Sequence, residues 1–168
     1  MSFTSQTRRR VPFTPYTPGN QFKAATGRGV HAPVSFDVPG SARQGVQMRE
    51  LRLRGVGMPM AGAGEAALSQ TGLQRVILRI LWPGYTHVEW CRTIPVVHPN
   101  GVPLTRIELA IQIALNFGRF VEKCQFEAPT AQGFMFSANC VKFDHLFLVG
   151  LHNTFDDVWQ ADVALDIA

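Results

Sequence analysis

The stretch PLTRIELAIQIALNFGRFVEKCQ, residues 103–125, restricts the fold more than any other part of the chain. Thr105 is followed three positions later by Glu108, a pairing in which the hydroxyl accepts from the amide of residue 108 and the carboxylate accepts from the amide of residue 105. A helix therefore starts at residue 106. Ile107, Ala110, Ile111, Ala114, Phe117, Val121 and Cys124 recur at helical spacing, while Glu108, Gln112, Asn116, Arg119 and Lys123 form a polar stripe, so the helix runs to residue 124. Ile113, Leu115 and Phe120 widen the apolar face beyond what one sheet covers. They predict a second packing surface, internal or from another chain, and are candidate interface residues.

Strand patterns flank this helix. WQADVALDI places Trp159, Ala161, Val163, Leu165 and Ile167 on one face and Gln160, Asp162, Ala164 and Asp166 on the other, the alternation of a half-buried strand. VKFDHLFLVGL, from Val141 to Leu151, is apolar on both faces and reads as an interior strand; HNTFDD between the two supplies turn residues, so they pair antiparallel. Before the helix, RVILRIL and HVEWCRTIPVV are joined through WPGYT, where Pro83 and Gly84 suit the central positions of a type II turn inside a longer loop. Pro95 lacks an amide donor, which assigns the second of these strands to an edge or a bulge. The order is ββαββ, an α+β plan in which one long helix packs on a mostly antiparallel sheet.

Charge divides the chain. Up to Gly72, nine basic residues stand against three acidic ones and leave +6; beyond it seven stand against nine and leave −2. Residues 1–45 carry no acid before Asp37, hold prolines at 12, 15, 18, 33 and 39, and lack clustered apolar groups, so they read as a disordered basic tail. Residues 46–72 combine VQMRELRLR, a short strand or a single helical turn, with the Gly/Ala-rich linker GMPMAGAGEAA, and residues 73–168 form the α+β domain.

The combination LRILWPGY, TRIELAIQIALNFGRFVEK and LFLVGLHNTFDDVWQADVAL resembles a family of short uncharacterised proteins from mushroom-forming fungi. The resemblance covers residues 74–168 and leaves the tail outside it. It implies a shared domain with no known activity, and assigns no catalytic or binding residue.

The sequence has no run of about 20 apolar residues and no apolar stretch after the arginines, which argues against a membrane span and a secretory signal. Three widely spaced cysteines, Cys91, Cys124 and Cys140, fit a reducing compartment better than a disulfide framework. An intracellular protein, cytoplasmic or nuclear, is expected. Mitochondrial import is the lesser alternative, because Pro12, Pro15 and Pro18 break the amphipathic helix a transit peptide needs.

Patterns with demanding chemical spacing are missing. The cysteines and His98, His145 and His152 form no metal-ligand set, and no cofactor motif is present, so neither a metal nor a cofactor is expected. Cys91 with His98 or His145 and Asp144 supplies the residue types of a nucleophilic triad and keeps a small enzyme of unknown reaction as one alternative. Trp82 and Tyr85 are candidate interface rings, or else two rings closing the end of the core. In the tail, Arg8, Arg9 and Arg10 are candidate anion-binding residues for nucleic acid or another anionic polymer, and Thr14-Pro15 and Thr17-Pro18 read as sites for a proline-directed kinase. The expectation is a non-enzymatic protein-interaction module, self-associating or bound to a protein partner, with a basic tail as an electrostatic tether. A nucleic-acid-associated protein that binds through the tail is the other alternative.

Overall fold

The computed structural model describes residues 8–16 and 31–167. Seven strands form one mostly antiparallel sheet: β1 Arg9–Arg10, β2 Val34–Ser35, β3 Val46–Gln47, β4 Arg75–Arg79, β5 Cys91–Pro95, β6 Leu146–Phe155 and β7 Val158–Leu165. Among the described residues two α-helices accompany them, α1 Met48–Arg54 and α2 Arg106–Cys124. No helix among the described residues is long and apolar enough to cross a membrane.

The long hairpin of β6 and β7 is the spine of the sheet, with Leu148 opposite Val163 and Leu151 opposite Ala161. Its turn is shorter than the sequence suggests: β6 continues through His152–Phe155, and Asp156, with φ 44°, and Asp157 alone reverse the chain. The same strand starts later than expected, because Phe143–His145 form a 3-10 turn before Leu146. β4 pairs with β7 in parallel and with β5 antiparallel, which leaves β5 at one edge, where its Pro95 costs no ladder bond to an outer neighbour.

The ββαββ plan describes only the chain from β4 onward. Three two-residue strands and α1 come earlier and join the same structure: β1 pairs with β7, and β2 and β3 both pair with β6. The reading of residues 1–45 as a disordered tail is therefore corrected for residues 8–16 and 31–45, and residues 1–7 and 17–30 lie outside the described residues. Open main-chain positions on β6 and β7 take up this segment, as in the bonds from Val11 N to Val163 O at 2.9 Å and from Phe36 N to Val149 O at 3.0 Å. Gly45, with φ +80°, lets the chain pass so close that a β-carbon would lie 2.9 Å from the Leu148 carbonyl oxygen.

Residues 46–72 are not a linker either. α1 buries Met48 and Leu51, and Met60 and Leu68 are buried farther on. The carbonyls of Glu65 and Ala63 accept from Arg106 N at 2.7 Å and Ile107 N at 3.1 Å, which supplies partners to amides that a helix N-terminus leaves unpaired. Thr105 completes the start of α2: its hydroxyl accepts from Glu108 N at 3.3 Å, and the Glu108 carboxylate accepts from Thr105 N at 3.0 Å. The core lies between α2 and the sheet face that carries Val76, Leu78, Ile94, Leu148, Val163 and Leu165, all buried.

Candidate functional site

The three arginines do not form a free cationic cluster. Arg8 Nε lies 3.5 Å from Asp166 and its guanidinium 3.9 Å over the Phe147 ring; Arg10 pairs with Asp162 at 2.9 Å and donates to Arg43 O at 2.7 Å. Arg9 stands 4.6 Å over Phe134. The acids missing from the tail are supplied by β7 and the residue just beyond it, about 150 positions away in sequence. Beyond Arg10 this N-terminal strap, residues 8–16, is held by the buried Gln160 side chain, which accepts from Tyr16 N at 2.6 Å and donates to Thr14 O at 2.9 Å. Thr14 is exposed, and Thr17 lies outside the described residues. The cleft between this strap and β4 holds only about 20 Å³, room for roughly one water.

Four of the five candidate interface residues are inside the fold. Ile113 and Phe120 are buried, as are Trp82 and Tyr85, while Leu115 is half-buried. The second surface needed by α2 is internal: α1 packs on it, and Phe120 sits edge-on to Trp90 and Phe136 at 5.9 and 6.2 Å between ring centres. Trp82 Nε1 donates to Phe134 O at 2.9 Å and the Tyr85 hydroxyl accepts from Phe136 N at 3.1 Å, so both rings anchor the segment after α2. Gly84 brings that segment close, since at φ +87° a β-carbon would lie 2.6 Å from Ala131 O.

The histidines and the acid of the candidate triad have other partners. His98 Nε2 bonds Glu108 at 3.0 Å, His145 Nδ1 accepts from Lys142 N at 2.9 Å, and Asp144 faces Arg49 at 3.7 Å. No hydrogen bond joins Cys91 to any of them among the described residues. Burial pushes the Cys124 thiol up to about 12, with nearby Glu127 adding to the rise, so that sulfur stays protonated. No group of three or more His, Cys, Asp or Glu side chains able to hold a metal occurs among the described residues.

Among the described residues, two grooves that border the edge strand β5 open to solvent. One, of about 410 Å³, runs between the start of α2 and the chain after β5; Pro95, Val97, Pro99, Leu104 and Ile111 line it together with Val56, which is 72% exposed. Its polar groups are Gln112 and the His98–Glu108 pair. The bond from Thr105 N is the largest influence and, with the hydrogen bonds to His98 and the Thr105 hydroxyl, holds the Glu108 carboxyl below its usual value against the opposing effect of desolvation. The other groove, about 680 Å³, is bordered by Arg75, Thr93, Pro95, Val97 and Asp157.

Between these grooves the main chain of β5 is open. Ile80 N donates to Trp90 O and Val96 N to Gln74 O, so with the observed register the even-numbered residues of β5 bond β4. Cys91, Thr93 and Pro95 consequently direct their main-chain groups away from the sheet. Among the described residues only the Cys91 carbonyl has a partner on that side, Arg92 Nη1 at 3.2 Å. Pro95 gave a sequence signal for this edge; nothing local marked the groove, whose walls come from three separate segments. Comparison of the chain with known protein families, with curated proteins and with solved structures found no match.

Proposed function

We propose that the protein is a non-enzymatic protein-interaction module whose contact surface is the open edge of β5 together with the apolar groove beside it. One observation carries this reading: six apolar residues from three chain segments line a groove of about 410 Å³ that opens to solvent, next to a strand whose outward main-chain donors and acceptors are mostly unpaired among the described residues. Apolar area left in water forgoes about 25 cal/mol per Å² relative to burial, and an extended partner strand satisfies edge groups that have no protein partner among the described residues. His98 and Glu108 bond each other, so they serve this surface by fixing the start of α2. Arg8 and Arg10 act as internal clasps that hold residues 8–16 on β7.

The test is selection of extended peptides from a displayed library, followed by affinity measurements on the wild type and on Val56→Glu and Ile111→Glu. The reading expects binders that lose at least about tenfold in affinity on either charge insertion, which corresponds to about 1.4 kcal/mol. Binders indifferent to both substitutions, or a library that returns none, would refute it.

A further inference from the structure

We propose that the occupant of the β5 edge is a second copy of the same strand, paired antiparallel about a two-fold axis through Thr93. This rests on the interaction reading above and names its partner. The support is the order of donors and acceptors along the edge. Outward-facing groups run Cys91 N–H, Cys91 C=O, Thr93 N–H, Thr93 C=O and Pro95 C=O, with no donor at Pro95. In a two-fold pair centred on Thr93, that residue faces the partner's Thr93 and exchanges two hydrogen bonds with it, while Cys91 faces the partner's Pro95.

Each Cys91 N–H then donates to the carbonyl of the partner's Pro95. The one group left without a donor by the missing Pro95 amide is the Cys91 carbonyl. That is the group already bonded within its own chain, by Arg92 Nη1 at 3.2 Å. The edge is self-complementary, whereas an unrelated strand in the same register would bring a donor opposite Cys91 to compete with Arg92.

Charge agrees with the same axis. Arg92 is exposed, lies 4.1 Å over Trp90 on the α2 side of the sheet, and has no carboxylate partner among the described residues. The register sets it opposite the partner's Ile94, beside the groove at Pro95 whose acid is Glu108. The two-fold is perpendicular to the sheet, so both α2 helices stay on one face and each groove receives an arginine from the other copy. A five-residue edge with its flanks buries less than the roughly 1,200 Å² of a stable complex, so the pair forms in a concentration-dependent way.

The test uses the full chain carrying Cys91→Ser and Cys140→Ser, with either Thr93→Cys or Arg92→Cys added. Facing residues of a hydrogen-bonded pair have Cα atoms about 5.5 Å apart, within disulfide range, whereas the diagonal pair at position 92 is about 7–8 Å apart. Under mild oxidation Thr93→Cys should form a covalent dimer at least about tenfold faster than Arg92→Cys. In parallel, sedimentation equilibrium of the unmodified protein up to about 1 mM should show the mass rising from 18.6 kDa toward twice that value. Equal cross-linking rates, no cross-link, or a mass of 18.6 kDa throughout would overturn the self-pairing. A selected peptide that still binds under those conditions would leave the interaction reading standing without it, and absence of both would remove both.

Discussion

Truncating Phe120 separates an internal role from an interfacial one. Its side chain has no exposed surface and meets the Trp90 and Phe136 rings edge-on, and Phe136 is tied in turn to Tyr85 through its amide. Phe120→Ala removes a buried ring and leaves a cavity whose walls are held by α2 and by the hydrogen-bonded segment after it, so the site cannot fully collapse. Substitutions of this kind cost about 3–5 kcal/mol. In a chain of this size each kcal/mol lowers the melting temperature by about 2–4 °C, so a fall of roughly 6–20 °C is expected. Urea unfolding at two protein concentrations about a hundredfold apart gives the decisive comparison, because stability lost from an intermolecular contact depends on concentration. The half-buried Leu115→Ala serves as a reference and should cost less. A loss below about 1 kcal/mol for Phe120→Ala, or one that changes with concentration, would refute the internal assignment.

Further expectations concern the cap, the ring anchors and the strap. The Glu108 carboxyl titrates below its ordinary value, so its contribution is present above the unfolded pKa and is lost as pH falls through the folded one; the stability gap between wild type and Glu108→Gln should close in acid and persist at neutral pH. Tyr85→Phe takes away the acceptor of the buried Phe136 amide and should cost about 1–3 kcal/mol in denaturation, whereas an unchanged midpoint would place water at that amide. A double-mutant cycle on Arg10 and Asp162 should give a coupling of less than about 1 kcal/mol that shrinks with added salt; zero coupling at low salt would mean the clasp contributes nothing.

The parts of the fold that were legible in the sequence depend on local patterns. Thr105 and Glu108 mark the start of α2 because the cap closes within four residues, and the β6–β7 pairing follows from an apolar run and an alternating run on either side of turn residues, as the β4–β5 pairing follows from two apolar stretches around Pro83 and Gly84. What escaped depends on partners far away in the chain. Arg9–Arg10 and Val34–Ser35 are too short to show any alternation, and they are strands only because β7 and β6 offer open ladders. Arg8 and Arg10 resemble an unpaired charge run until folding brings up Asp166 and Asp162. The GMPMAGAGEAA stretch has the composition of a linker, yet its Ala63 carbonyl and the Glu65 carbonyl meet the first amides of α2, a role that main-chain atoms fill without any side-chain signature. At the candidate site, Pro95 announces an edge, but the groove needs Val56 and Ile111 brought together from segments that share no local pattern.

Amide hydrogen exchange along β5, followed as protein concentration is raised, tests the contact surface most directly. Ile94 N–H faces β4 and should exchange slowly throughout, whereas Thr93 N–H faces outward and should exchange rapidly in dilute protein. At high concentration, or with a selected peptide bound, Thr93 and Cys91 should become protected while Ile94 changes little. Thr93 exchange that stays rapid under both conditions, or that is already slow in dilute protein, would contradict the assignment of the β5 edge as the surface through which this protein meets its partner.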